Sequence, residues 1–545
     1  MEGRRHRAAQ REREVEAGGR RPVRPRAHRD DLRARRLRLH PRRRPPRTLP
    51  LVGPVHAAPA RDRRRPDRDA RAARARGPVL HAPGPHRRRG AHDRAAPRRR
   101  GHLDGVRPRQ RGHHRPPEHP APLGRGRGRP RDLAPPGVRR AADDRGVRDV
   151  PRVVLGSPVA GIAADELIDI GPAVAGITEK YIGVPELANL PRKFKTALTG
   201  HPSQDVVHEI NDVAFVAHRH PELGVGFDLW VGGGLSANPR LGERLGAFVT
   251  EEQVPDVWHG VVQIFRDYGY RRLRNKARLK FLLADWGPER FREVLETEYL
   301  GYALPDGPPA PKPSVPGDHV GVHKQKDGLN YVGAAPYVGR VSGTILANVA
   351  DLAESVGSHR VRLTPHQKLL VLDVPDEHVE HVVSTLKENG LDARPSPFRR
   401  STIACTGIEY CKLAIVDTKD TATATIDELE QRLGDLSQMK PLSLHVNGCP
   451  NSCARIQTAD IGLKGQLVMD DDGQQVPGFQ VHLGGGLASD DREVAGMGRT
   501  VRGLKVTADD LTDYVERVVR RYESDKDGSE TFAEWAHRAD EEALR

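Results

Sequence analysis

The first 150 residues contain no lysine, cysteine, phenylalanine, tyrosine, tryptophan, isoleucine or asparagine. With no aromatic side chain and few large aliphatic ones, that stretch has too little apolar surface to build a packed core. Cysteine is scarce as well. The chain has four in 545 residues, all between 405 and 453. That clustering excludes a disulfide-stapled scaffold and favours a metal-binding role. No apolar run approaches the ~20 residues of a membrane-spanning helix, and no apolar secretory core stands near the N-terminus. Lysine and arginine are in excess, but unevenly so. Of 89 Lys+Arg and 73 Asp+Glu, the first 150 residues hold 45 and 16, which leaves 44 and 57 for residues 151–545, a net of −13. The body of the chain is mildly acidic, so the pI of 9.9 is no argument for nucleic-acid binding.

The leading segment has two readings. One is a basic tail that attracts RNA or DNA electrostatically. The other is out-of-frame translation of GC-rich coding DNA. Back-translation followed by a shift of one base favours the second. His113–Gly124 can then read ITDRQNIQLHW, Leu80–Gly90 FMLRVRIDGGA, and Val55–Asp67 YTQRRPGIDGGRT. Each window acquires the composition of folded protein, and the printed frame makes sense from Asp149 onward. Residues 1–148 are expected to be irregular or disordered, with a low-complexity composition on either reading.

From Pro151 the pattern is globular and internally duplicated. Trp230–Leu235 (WVGGGL) is followed by a charged turn, Thr250 and a helical pattern over 254–270. His482–Leu487 (HLGGGL) is followed by a charged turn, Thr507 and a helical pattern over 511–522. Thr250 and Thr507 read as N-caps with acidic first turns, so two similar halves facing one another are expected. A second repeat pairs the segment from Arg362, RLTPHQKLLVLDV, with the shifted-frame ITDRQNIQLHW. Pro305–Pro316 reads as a linker, and the charged tail after Arg521 as a surface helix. The GGGL turns match neither phosphate-loop nor dinucleotide fingerprints.

Cys405 and Cys411 are separated by five residues, in ACTGIEYCKLA, and Cys449 and Cys453 by three, in NGCPNSCARIQ. Four thiolates on two glycine-containing loops suit an iron–sulfur cluster or a metal ion. The five-residue gap counts against zinc. Four buried free cysteines remain the plain alternative.

These two motifs, with TGIEYCKLA and NGCPNSCAR around them, resemble the ferredoxin-type nitrite and sulfite reductases, in particular the actinobacterial sulfite reductases. The resemblance runs from about Asp149 to about residue 535. It implies an α+β nitrite/sulfite reductase fold with pseudo-twofold repeated ferredoxin-like and siroheme-binding halves. The first siroheme-binding half would be 149–316, a ferredoxin-like half 317–395, and the second siroheme and 4Fe–4S half 396–545. It implies that Cys405, Cys411, Cys449 and Cys453 hold a 4Fe–4S cluster, with Cys453 bridging to siroheme iron. Arg152, Lys193 and Lys195 would form the substrate site; the K-F-K alternation puts both ammonium groups on one face of an extended segment. Arg362, Gln367, Asn447, Asn451 and Arg455 would line the siroheme rim, whose carboxylates call for basic and amide partners.

The implied activity is the six-electron reduction of sulfite to sulfide with electrons from ferredoxin, or of nitrite to ammonia at the same centre. The implied protein is a cytoplasmic monomer with neither nucleic acid nor membrane as partner. A basic nucleic-acid-binding protein carrying an iron–sulfur module is the alternative of another class. The sequence also departs from the family. A substrate-site arginine falls in the disrupted segment, under Pro83 or Pro85, and a cysteine under Val147.

Overall fold

The computed structural model describes residues 48–50, 149–436, 439–488 and 496–545. The expectation of irregularity for 1–148 therefore lies outside the described residues. The exception is Thr48–Pro50, a short strand (β1).

The first sheet contains β2 (Pro151–Gly156), β3 (Phe194–Thr199), β4 (Val213–His220), β5 (Gly224–Val231) and β6 (Glu243–Val249), in that spatial order. β2, β3 and β4 run parallel; β5 and β6 continue antiparallel. β4 is buried along most of its length, as its continuous apolar run VAFVA requires of a strand covered on both faces. The helices Gly171–Tyr181 and Val254–Tyr268 close the core around Phe194, Phe215, Phe227, Trp258 and Phe265. The Trp258 indole N–H donates to Thr196 Oγ1 at 2.7 Å, so this buried donor is satisfied.

The middle of the chain supplies β7 (Gly321–Lys324), β8 (Asn330–Ala334), β9 (Arg340–Ser342), β10 (Val361–Leu363) and β11 (Leu369–Val374). Four of these form a sheet in the order β10–β11–β8–β7, while β9 pairs antiparallel with β1. The helices Gly343–Ser355 and Val379–Glu388 pack on that sheet through Val349, Leu352, Val382 and Leu386. Ser342 caps the first of them by accepting the Ile345 N–H at 3.1 Å.

The last sheet contains β12 (Ile403–Ala404), β13 (Leu444–Asn447), β14 (Ile461–Met469), β15 (Gln475–Leu483) and β16 (Lys505–Thr507), in sequential order. Its first two pairings are parallel and its last two antiparallel. This is the β2–β6 arrangement again, as the duplicated WVGGGL and HLGGGL segments lead one to expect. Each GGGL turn leaves its strand with a left-handed glycine, Gly232 at φ 81° and Gly484 at φ 75°. The next glycine in each turn lies against a backbone. A Cβ on Gly233 would stand 2.3 Å from Glu209 O, and one on Gly485 2.3 Å from Gln457 O.

Two expectations are corrected. Thr250 and Thr507 are not helix N-caps. Each helix is preceded by a separate turn: Gln253 Oε1 accepts the Thr250 N–H at 3.0 Å, and Thr507 Oγ1 accepts the Asp510 N–H at 3.1 Å, before helices start at Val254 and Leu511. The tail after Arg521 is not a surface helix. A capping box at Thr531 and Glu534 starts the helix Phe532–Arg538, which buries Phe532, Trp535 and Ala536 against the core. Charge composition missed this because three apolar residues on one short face suffice for docking.

Candidate active site

Two loops, residues 200–212 and 448–460, join corresponding parallel strands in the two halves. The second carries half of the cysteine set; the first is followed by β4 and lies beside the end of β3 that carries the paired lysines. Gln457 Nε2 of the second loop donates to Ser236 O, next to the GGGL turn of the first half, at 3.2 Å. The two halves therefore meet at these loops.

The two cysteine loops meet, since the Gly448 N–H beside Cys449 donates to Cys405 Sγ at 3.2 Å. Burial pushes the Cys449 thiol up to about 11, opposed by the Asn451 N–H and reinforced by Cys453, Cys405 and Cys411. Cys453 is likewise raised, first by burial. Cys405 Sγ accepts backbone N–H bonds from Gly407 at 3.4 Å and Gly448 at 3.2 Å. Cys449 and Cys453 are both raised and so ionise together only if positive charge sits beside them, which fits a metal centre. Among the described residues, no three cysteine sulfurs lie within 4.8 Å of one another. A single zinc with Zn–S of about 2.3 Å needs sulfurs about 3.8 Å apart, closer than any three of these lie. Asn447 is buried and clamps this loop. Its amide donates to Cys449 O, and its carbonyl accepts the Ala454 N–H at 2.9 Å. Asn451 is exposed.

A dense group of cations faces Cys453. Burial drives Lys193 down to about 7, with repulsion from Lys195, Arg278 and Arg152 adding to it and Cys453 opposing. Lys195 is lowered by burial and by Arg278, and held up by Cys453 and Asp212. Arg152 is lowered by burial and by Arg192 and Arg278. Phe194, between the lysines, is fully buried in the core. Lys195 and Cys453 retain exposed surface although protein surrounds them on nearly all sides. That combination describes side chains lining a deep cleft. So many like charges in a water-poor cleft call for anions among them.

The remaining candidates divide. Arg455, in left-handed conformation at φ 60°, is lowered to about 10 by burial, with Glu209 attracting it. Arg362 is lowered to about 10 by burial, and its Nη1 donates to Pro158 O and Ala160 O, each at 2.9 Å. Gln367 is committed at both ends of its amide to the Ala404 backbone, at 2.8 and 3.3 Å. Gln367 and Asn447 thus brace the strands and loop that carry the cysteines.

Three residues of this region escaped the sequence reading. Asp212 accepts the Lys195 N–H at 2.8 Å and pairs bidentately with Arg278 at 2.9 and 2.8 Å. Lys280 donates to Gly234 O, Leu235 O and Asn238 O, which ties down the first GGGL turn. A comparison of the two loops would have singled out Asp212, because both end in aspartate. Arg278 and Lys280 stand in an ordinary basic run with no local signal.

Residues 148–303 and 396–545 match the family described as the nitrite and sulphite reductase 4Fe-4S domain, and 323–389 match the nitrite/sulfite reductase ferredoxin-like half domain. The chain belongs to the nitrite and sulphite reductase family. Among curated members, it is 55% identical over 419 residues to "Sulfite reductase [ferredoxin] 2" of Mycolicibacterium paratuberculosis, covering 75% of this chain and 74% of that one. It is 37% identical over 351 residues to the ferredoxin–nitrite reductase of Synechococcus elongatus, covering 63% and 67%. The solved structure of the Mycobacterium tuberculosis NirA protein superposes with a TM-score of 0.70 at 55% identity, covering 73% of this chain and 72% of that one. The family matches begin at residue 148, so the printed leading segment has no counterpart in them. As a family member the chain is an oxidoreductase of the siroheme and 4Fe–4S type. No helix among the described residues is long and apolar enough to cross a membrane.

Proposed function

We propose that this chain reduces sulfite to sulfide, taking electrons one at a time from ferredoxin and working as a cytoplasmic monomer. The observation that carries the proposal is that Lys193 and Lys195 lie close to Cys453, with Arg152 and Arg278 beside the lysines. Siroheme joined to the cluster would supply the electrons and the iron that takes the substrate. The chain's own part is to hold the anion and feed it protons. Arg152 offers a fixed fork to an oxyanion and the lysines offer compact ammonium donors. A Lys193 pushed to about 7 gives up a proton readily near neutrality. Arg362 and Arg455 would neutralise carboxylates of the macrocycle. Cys405, Cys411, Cys449 and Cys453 would carry the cluster.

Identity favours sulfite over nitrite: 55% to a relative named for the first, 37% to one named for the second. Nitrite reduction to ammonia remains the second reading, since a smaller singly charged anion meets the same cations. The nucleic-acid alternative lost its basis when the acidic body matched the reductase family.

The printed leading segment is read as out-of-frame, because the family matches start at 148 and a shifted frame gives that segment the composition of folded protein. The test is to express the chain with its first third read in the shifted frame and siroheme biosynthesis supplied, record its visible spectrum, and measure sulfide and ammonia formed from sulfite and nitrite with a reduced one-electron donor. Siroheme bands with preferential sulfide formation are expected. A spectrum without siroheme from a chain carrying an intact first third would overturn the proposal.

A further inference from the structure

The cysteine loop has a double in the other half, and the double carries metal-ligand residues of a different kind. Residues 200–212 read GHPSQDVVHEIND and residues 448–460 read GCPNSCARIQTAD. They share more than the Gly-x-Pro opening and the final aspartate. Gln204 and Val207 adopt left-handed φ of 51° and 52°, and their counterparts Ser452 and Arg455 adopt 57° and 60°. A 3-10 turn follows in each, His208–Ile210 and Ile456–Thr458. Asp212 accepts the Lys195 N–H at 2.8 Å, and Asp460 the Ser443 N–H at 2.9 Å. A β-branched valine held left-handed marks a strained backbone that the surroundings enforce. The two loops are therefore one conformation used twice. In that register His201 stands where Cys449 stands, and Asp205 where Cys453 stands.

A third residue, His319, reaches this point from beyond the proline-rich linker. One ligand atom from each of His201, Asp205 and His319 lies within 4.8 Å of the other two, and all three residues are buried. His319 Nε2 is 2.9 Å from Asp205 Oδ2, and the imidazoles of His201 and His319 meet edge-to-face at 4.9 Å. Every ligand is steadied from behind, as metal ligands usually are. Ser203 Oγ lies 2.8 Å from His201 Nδ1, which also accepts the Ser203 N–H at 3.1 Å, so ligation through Nε2 requires the tautomer whose Nδ1–H donates to Ser203 Oγ instead; Tyr331 OH lies 3.1 Å from His319 Nδ1. Ser157 Oγ and Thr199 Oγ1 donate to Asp205 at 2.6 and 2.8 Å. His201 Nε2 also lies 3.0 Å from Asp165 Oδ1, a more exposed carboxylate within reach as a fourth donor.

We propose that His201, Asp205 and His319 form a second metal site, for one divalent ion of the zinc class, with Asp165 closing the coordination shell. The ion would displace the proton shared by His319 and Asp205 to solvent. The site would be structural. Gln204 Nε2 donates to Pro311 O at 2.6 Å, and Gly317 packs against Asp205 so closely that a Cβ would stand 2.8 Å from its Cα. An ion here would fasten the linker and the middle sheet to the first half. The proposal is independent of the reductase reading.

The test uses the purified full-length chain, stripped with a chelator and titrated with Co²⁺ and then Zn²⁺. We expect one equivalent of cobalt with ligand-field bands that lack thiolate charge-transfer absorption and that survive Cys449→Ser. Zinc should displace it and raise the melting temperature. His319→Gln should abolish these bands. Tyr331→Phe keeps all ligands and removes one outer hydrogen bond, so it should weaken binding by about 10-fold or more. Absence of stoichiometric non-thiolate cobalt binding by the wild-type chain would overturn the proposal, as would binding that is lost with Cys449 or indifferent to His319.

Discussion

Asp212 is the residue whose removal should show most directly how the cation cluster is held. Its side chain is fully buried and that of Arg278 is only 12% exposed. One carboxylate oxygen accepts from Arg278 Nε at 2.9 Å; the other accepts from Arg278 Nη2 and the Lys195 N–H, both at 2.8 Å. Asp212→Ala would leave a guanidinium unpaired beside Lys193, Lys195 and Arg152. It would also leave a buried N–H without an acceptor. Breaking one partner of a buried pair costs about 3–5 kcal/mol, and an orphaned donor about 1–3 kcal/mol. The two overlap, so about 4–5 kcal/mol is expected, a large part of a typical stability of about 5–15 kcal/mol.

Its counterpart in the second half, Asp460, accepts the Ser443 N–H at 2.9 Å and the Ser443 hydroxyl at 2.6 Å. Urea unfolding of the wild-type chain and of Asp212→Ala at constant m-value measures the loss. Adding Arg278→Met to Asp212→Ala should recover part of it, because an apolar side chain carries no unpaired charge. A wild-type midpoint in Asp212→Ala, or no recovery in the double variant, would refute the claim that charge crowding makes Asp212 indispensable.

Other outcomes are expected. Lys195→Met should lower kcat/KM for sulfite by about 10²–10³-fold, as for loss of one oxyanion donor, with the siroheme spectrum retained; unchanged kinetics would remove Lys195 from the anion site. Cys453→Ser should abolish activity and uncouple the electronic signals of siroheme and cluster, whereas wild-type spectra would assign the bridging role elsewhere. The chain with its printed leading segment should be poorly active beside a version whose first third is read in the shifted frame; equal sulfide formation would make that third dispensable. Lys368 is fully buried, and burial lowers it to about 8 from 10.5. The folded state therefore disfavours its charge, and stability should rise by about 3 kcal/mol as the pH passes from about 8 to 10.5. Lys368→Met should flatten that rise; identical pH dependence of the urea midpoints in both proteins would contradict it.

By itself the sequence determined which residues can do chemistry. The spacing of Cys405, Cys411, Cys449 and Cys453 is local information, because each pair sits on one loop whose glycines admit close backbone approach. The K-F-K alternation is local too: a strand puts Phe194 into the core and both ammonium groups opposite. The GGGL repeats announced two equal halves, since the same strand–turn–helix unit closes in the same way wherever it is written. Helix starts and the tail were misread because Thr250 and Thr507 serve turns ahead of their helices, and because Trp535 docks through a short face that charge composition conceals. Only the tertiary structure decided that Gln367 spends its amide on the Ala404 backbone, that Asp212 pairs with Arg278 beside the Lys195 N–H, and that His319 joins His201 and Asp205. Those relations cross 37, 66 and 114 residues of chain. Contacts at such separations have no periodicity to betray them; they exist because the packing of two duplicated halves brings distant loops to one place.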